Sequence, residues 1–208
     1  MALSIVVCGT CNIGAIRQRV VLTRVFCSRG TGRILPGMSV VASKSAEHKY
    51  SVLFLCTRNA SRGILAEALL RKKGRGRFIA HSAGTQPAGH LDERATSLLE
   101  RLNFSTAGLH SKSWREFSGA EAAAQDFVIT LCDKAAGEPC PEWPGHPSSA
   151  HWSIPDPALA AGTEIEQANT FRDVFAMLER RISLFVSLPM DSLDKLARET
   201  QTREIGRE

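Results

Sequence analysis

Val52-Leu-Phe-Leu-Cys-Thr-Arg-Asn-Ala-Ser-Arg62, followed by Gly63-Ile-Leu-Ala-Glu-Ala-Leu-Leu70, decides how this chain is read. A short apolar run of strand length gives way to a C-x5-R loop, Cys56 to Arg62, and then to a strong helix former with apolar residues on one face. A loop between a strand end and a helix start leaves backbone N–H groups unpaired and lies at the positive end of the helix dipole. Such a loop cradles a tetrahedral oxyanion. Cys56 at its rim is expected to be a thiolate near neutral pH, because the dipole and an arginine both favour the charged form. Arg62 supplies a planar donor fork. The local chemistry is nucleophilic attack by sulfur on phosphate or on something of its shape, with Thr57, Arg58, Asn59, Ala60, Ser61, Arg62 and Gly63 as the binding loop. The plainer alternative, a buried Cys56 ending a core strand and a solvated Arg62, is weakened by the strand–loop–helix setting.

Outward from this stretch, strands and helices alternate. Ser51–Cys56 reads as a buried strand and Ser61–Lys73 as a helix stopped by Gly74 and Gly76. Arg77–Ser82 is a second strand, with Ala83-Gly84 turning the chain. Asp92–Phe104 is a helix with Asp92 as N-cap, and Ser113–Phe117 a short helical piece. Asp126–Leu131 is a third strand and Ala150–Ile154 a short fourth. Glu164–Leu188 is a long helix with Ala168, Phe171, Phe175, Leu178, Ile182 and Phe185 inward, and Asp191–Thr200 adds a surface helix. The alternation predicts an α/β domain with a parallel sheet and helices on both faces.

The chain has 208 residues and a formal net charge of +5. That charge is uneven: residues 1–46 carry six basic residues and no Asp or Glu, whereas the remainder holds 20 basic and 21 acidic residues. The basic balance therefore says little about nucleic acid, and no nucleic-acid partner is expected. No apolar run reaches the ~18–20 residues a membrane helix needs, and no secretory pattern is present. Residues 1–46 show no apolar period. They read as a targeting or flexible basic extension or, the reading preferred, as sequence largely upstream of a true start at Met38. The domain then covers residues 50–190, and 191–208 form a helical tail.

Of the six cysteines, Cys8 and Cys11 form a CxxC pair without a second pair or histidines at zinc spacing, so no metal is expected. Cys132 closes the third strand as Cys56 closes the first, and the carboxyl ends of parallel strands share one edge. Cys140 lies on a segment with Gly137 and Pro139, short enough to be closed on Cys132 at modest entropic cost. Three such thiols suggest a relay of disulfide exchanges; the alternative is a core Cys132 and a surface Cys140. Asp156, before Pro157, is either a general acid on a mobile loop or a turn-forming Asx residue.

From about Ser51 to Pro189 the chain resembles the low-molecular-weight tyrosine phosphatases, and more closely their thiol-dependent arsenate reductases. The matching stretches are Leu53–Asn59, Leu65–Ala68, Ser82–Gly84, Val128–Cys132, Cys140-Pro141, and His151-Trp152 through Asp156-Pro157-Ala158. The resemblance implies a three-layer fold with a central four-stranded parallel sheet flanked by helices. It also implies a cytoplasmic enzyme that reduces arsenate with no bound cofactor. Cys56 would attack the oxyanion held by the loop and Arg62, and Asp156 would protonate the departing oxygen. Cys132 would then attack Cys56, and Cys140 would attack Cys132. An external thiol reductant, thioredoxin or glutathione/glutaredoxin, would reopen the Cys132–Cys140 bond.

The chain departs from the family in places. Gly63 replaces the usual serine after the loop arginine, so Gly63→Ser is expected to ease Cys56 ionisation; glycine there also costs ~0.5–1 kcal/mol of helix relative to alanine. Ala60 stands where serine is common, and Arg58 adds charge. Ala158-Leu159 replaces the aromatic pair of many phosphatases, which argues against an aryl phosphate. Some relatives bind potassium near the positions of Asn59, Glu67 and Ser82; here Lys112 stands for an acidic ligand, and its ammonium takes the cation's place. Two alternatives remain: a phosphatase whose extra thiols guard Cys56 against oxidation, and a non-catalytic oxyanion-binding relative.

Overall fold

The computed structural model describes residues 48–119, 121–137 and 143–208, so the expectations for residues 1–46 and for Cys140 lie outside the described residues. Strand β1 is Tyr50–Cys56 and helix α1 is Arg62–Lys73. β1 is apolar towards both sides: Val52, Phe54 and Cys56 enter one core cluster, Leu53 and Leu55 another. A parallel strand buried on both faces belongs inside a sheet. With β2 at Phe78–Gly84, β3 at Phe127–Thr130 and β4 at Ser148–His151, the order is β2-β1-β3-β4, every pairing parallel. The chain leaves β1 for β2 on one side and crosses to β3 on the other. A crevice opens where the order reverses, beyond the carboxyl end of β1, and Cys56 stands there, paired with Gly84.

The α-helices are α1, α2 at Glu93–Arg101, α3 at Asp133–Gly137, α4 at Glu164–Ser187 and α5 at Lys195–Ile205. The larger cluster joins one face of the sheet to Ile64 and Leu69 of α1, Leu99 of α2, Phe171, Leu178, Ile182 and Phe185 of α4, and Ile205 of α5. Every residue of α1 from Arg62 to Leu70 is buried, so this helix lies wedged between the sheet and α4. Its last turn carries Arg71, Lys72 and Lys73, which suit the negative end of its dipole. The opposite face, with Leu53, Leu55, Ala83 and Val128, is covered by Trp143 and by Trp114 and Phe117 of the 3-10 turn Trp114–Phe117.

Several boundaries differ from expectation, each for a local reason. β2 runs on through Ala83 and Gly84 instead of turning, because Gly84 still pairs with Cys56 and its N–H binds Lys112 O at 2.8 Å. A Cβ on Gly84 would lie 2.7 Å from Thr57 O, so only glycine lets the loop approach. α2 stops at Arg101, two residues before Asn103 turns left-handed at φ 56°. β4 begins two residues early, set by register with β3 (Phe127↔Ser148, Thr130↔His151). α5 is displaced to Lys195–Ile205 and is more than a surface helix: Thr202 and Ile205 are buried, and the Trp152 indole N–H binds Thr202 O at 2.9 Å. α3 has no counterpart in the sequence reading.

Candidate active site

The loop after Cys56 is held by its carbonyls. N–H groups of Thr85, Gln86, Ala88 and Asp92 bind the carbonyls of Cys56 (3.1 Å), Thr57 (2.9 Å), Arg58 (2.9 Å) and Ala60 (3.0 Å). With these oxygens engaged by segment 85–92, the loop curls over Cys56, whose sulfur receives the backbone N–H groups of Asn59 and Gly63. Asn59 makes the bend at φ 47°, a left-handed conformation that Asn tolerates. Its buried side chain fixes the bend: Nδ2 donates to Ser82 Oγ (2.8 Å) and Oδ1 accepts from Lys112 N (2.8 Å).

Ser82 donates in turn to Glu67 Oε2 at 2.5 Å. Glu67 is fully buried and also meets Arg71 and, at 3.3 Å, Lys112 Nζ. Lys112 is itself buried, its ammonium shared between Glu67 and His110 O (3.2 Å). An ammonium therefore stands beside the Asn59–Ser82–Glu67 chain. Because a buried carboxylate without a partner is costly, this chain pins the loop to α1 and β2.

Cys56 is 2 % exposed. Burial pushes its thiol up from the ordinary value; the Gly63 N–H, the Arg62 guanidinium and the Asn59 N–H pull it down, and nearby Cys132 raises it. Burial prevails, so the expected neutral-pH thiolate is corrected for this arrangement. A Cβ at Gly63 would lie 2.8 Å from Asn59 Nδ2 and 3.2 Å from Cys56 Sγ, so a side chain there must displace the residue that bends the loop.

Arg62 is buried and already engaged, Nη1 on Ile154 O (3.1 Å) and Nη2 on Asp156 Oδ2 (2.7 Å). Asp156 shows its turn-forming reading, with Oδ1 accepting from Ala158 N (3.1 Å) to cap the 3-10 turn Pro157–Leu159, while Oδ2 accepts from Arg62 and the residue lines the same cavity as Cys56. Cys132 lies two residues beyond β3, 6 % exposed, its Sγ 3.4 Å from Thr57 Oγ1. Both Cys56 and Cys132 are free thiols. Ser61 and Ala60 are buried, Thr57 half-buried and Arg58 exposed.

Cys56, Arg58 to Arg62, and Asp156 line one cavity of about 700 Å³. The sequence reading missed its outer wall, where His90, Arg94, Glu164 and Gln167 stand. Arg94 is clamped by Asp92 (3.0 and 2.8 Å) and Gln167 (2.7 Å) over the Phe171 ring. Burial alone would raise the Asp92 carboxyl, but the bonds from Arg94 bring it below its usual range. An arginine in the first turn of a helix opposes the dipole, and that mismatch was the available signal. Among the described residues no cluster of side chains suited to a metal ion occurs, and no helix is long and apolar enough to cross a membrane.

A four-stranded parallel sheet flanked by helices, with a buried cysteine, a tight backbone loop and a buried arginine at its switch point, defines the class of fold. The chain belongs to the low molecular weight phosphotyrosine protein phosphatase family, whose pattern matches residues 51–202. It is 32% identical over 137 residues to an arsenate reductase of Oceanobacillus iheyensis, covering 66% of this chain and 95% of that protein. An arsenate reductase of Bacillus licheniformis is likewise 32% identical over 138 residues, covering 66% and 95%. The crystal structure of an arsenate reductase from Archaeoglobus fulgidus superposes with a TM-score of 0.52 at 27% identity, covering 66% of this chain and 99% of that one.

Proposed function

We propose that this protein reduces arsenate to arsenite, with Cys56 as nucleophile and Cys132 and Cys140 carrying the oxidation away as a disulfide. The observation that supports this most is the second buried thiol: Cys132 touches loop residue Thr57 and is felt electrostatically by Cys56. Hydrolysis of a phosphate ester has no use for it. Relatives named arsenate reductase, matched over nearly their whole length, support the same reading.

Arsenate enters the loop, and its charge draws the Arg62 fork. Because the Cys56 thiol is raised by burial, its proton passes to the dianion as sulfur attacks arsenic. An oxygen leaves as water with a proton from Asp156, giving a Cys56–S–As(V) adduct. Cys132 attacks Cys56 Sγ; a disulfide forms, the S–As bond breaks, and its electron pair stays on arsenic, which departs as As(III). Cys140 then attacks Cys132, releases Cys56 and leaves a Cys132–Cys140 disulfide. An external dithiol of the thioredoxin type reopens it.

Arsenite release assayed with a thioredoxin system and, separately, a glutathione–glutaredoxin system tests this. Turnover is expected with thioredoxin, none in Cys132→Ser, and a trapped Cys56–Cys132 bond in Cys140→Ser by disulfide mapping. Full steady-state turnover of Cys140→Ser would remove Cys140 from the route. The family's phosphatase members give a second reading, since loop, arginine and aspartate also suit a phosphomonoester. Hydrolysis of such an ester unaffected by Cys132→Ser, with no arsenite formed by the unaltered protein, would favour it.

A further inference from the structure

Beside Cys132 lies a side-chain chain that the proposed reaction does not use. His151, the last residue of β4, reaches across the carboxyl end of β3: Nδ1 is 2.8 Å from Thr130 Oγ1, and Nε2 is 2.9 Å from Asp133 Oδ1. Ser153 adds a bond from Oγ to the same Asp133 oxygen at 2.9 Å. Thr130 precedes Cys132 by two residues, and Asp133 follows it directly as the first residue of α3. We propose that His151 is a positioning residue for Cys132: by tying Thr130 to Asp133 it fixes the backbone on both sides of the thiol and holds Sγ towards Thr57 and Cys56. This rests on the proposed role of Cys132.

The chain is built to hold whichever proton the ring carries. A ring with its proton on Nε2 donates to Asp133 and accepts from the Thr130 hydroxyl. A doubly protonated ring donates to both, and the hydroxyl turns to Ala150 O, 3.3 Å away. Neither β3 nor α3 spans Cys132: β3 ends at Thr130, and α3, described over Asp133–Gly137, begins only after it. Backbone bonds hold the residues before Cys132, with Leu131 N on Leu55 O (2.7 Å), Trp152 N on Thr130 O (2.8 Å) and Ile154 N on Leu131 O (3.0 Å), whereas the bonds that tie the first residue of α3 to β4 and Ser153 come from the Asp133 side chain. Attack of one thiol on another's sulfur needs an in-line approach, so a loosened Cys132 loses effective concentration.

The test uses the full chain carrying Cys140→Ser, so that the Cys56–Cys132 bond accumulates, compared with the same chain carrying His151→Phe, Asp133→Asn, Thr130→Val or Thr130→Ser. One arm uses arsenate in a single turnover. The other uses hydrogen peroxide, which oxidises Cys56 to a sulfenic acid with release of water; Cys132 then displaces a second water to form the disulfide. Disulfide formation is expected to slow about tenfold in His151→Phe and several-fold in Asp133→Asn and Thr130→Val. Thr130→Ser, which keeps the hydroxyl, retains the parent rate. Alkylation of Cys56 stays within about twofold throughout. Failure of the arsenate arm alone overturns arsenate reduction, because the peroxide arm needs no arsenate. Parent-rate disulfide formation in the peroxide arm for both His151→Phe and Asp133→Asn overturns the positioning role. Asp133 is largely exposed, so Asp133→Asn is read without a folding defect even if His151→Phe is unstable.

Discussion

At Cys56 two influences oppose each other, and their balance sets the pH behaviour. Burial raises the thiol, while two backbone N–H groups and Arg62 lower it less. Arg62 is partly engaged by Asp156 and Ile154 O. The alkylation rate of Cys56 in the ligand-free protein is therefore expected to titrate above about 8.5, the value of free cysteine; a midpoint below 7 would show that the helix end outweighs burial. The same shift makes a stability statement. A thiol whose folded pKa exceeds its unfolded one gives full stabilisation below the unfolded value and loses it as pH rises through the folded value. The protein should therefore lose more melting temperature between pH 8 and 10 than Cys56→Ser does, and equal losses would count against a raised thiol. Lys112 offers a second prediction at this scale. Replacing it with methionine leaves Glu67 buried with Ser82 and a part-exposed Arg71. Breaking a buried pair in this way costs about 3 kcal/mol, measurable by urea unfolding; a loss under about 1 kcal/mol would mean that Arg71 alone neutralises Glu67.

Among the elements, α5 is where expectation and packing differ most. Its sequence is polar, with Lys195, Arg198, Glu199, Arg203 and Glu204, and gives no apolar stripe beyond Leu196, Ala197 and Ile205. It is nonetheless attached to β4: Arg203 Nε binds Ser149 O at 3.1 Å, and the Thr202 carbonyl receives the Trp152 indole N–H at 2.9 Å. The close approach is completed by Gly206, where an added Cβ would lie 2.3 Å from His151 O and 2.7 Å from Trp152 Cδ1. At φ −66° its backbone would accept any residue, so Gly→Ala would ordinarily stabilise slightly by stiffening the unfolded chain. The crowding reverses that sign. Gly206→Ala is expected to destabilise by about 1–3 kcal/mol, the usual range for overpacking, and a neutral or stabilising result in denaturant titration would show that α5 is loosely held. Because His151 and Trp152 lead directly to Ile154 and Asp156, the C-terminal helix supports the segment that carries the general acid in the proposed reaction.

For the whole molecule, the matched relatives occupy about two-thirds of the chain. A chain beginning at Met38 is expected to keep its melting temperature and, if the proposed activity is right, its arsenate turnover. A drop of many degrees would show that residues 1–37 take part in the folded domain.

Local pattern alone announced β1, the C-x5-R loop and α1, because an apolar run, a loop and a helix former follow one another within 20 residues. The parallel α/β architecture followed from the alternation of periods, and Asp92 was legible as a cap because capping is a short-range hydrogen bond. Everything that depends on distant partners waited for tertiary structure. The ionisation of Cys56 is decided by burial, which no window of sequence reports. The crowding around Gly63 by Asn59, Cys56 and Ser82 is likewise set by the fold. The Arg94–Gln167 contact in the cavity wall and the bonds of His151 to Thr130 and Asp133 arise only when elements far apart in sequence are laid side by side. The residue types were written in the chain; which of them meet, and in what dielectric, was fixed by parallel register and by the packing of α4 and α5.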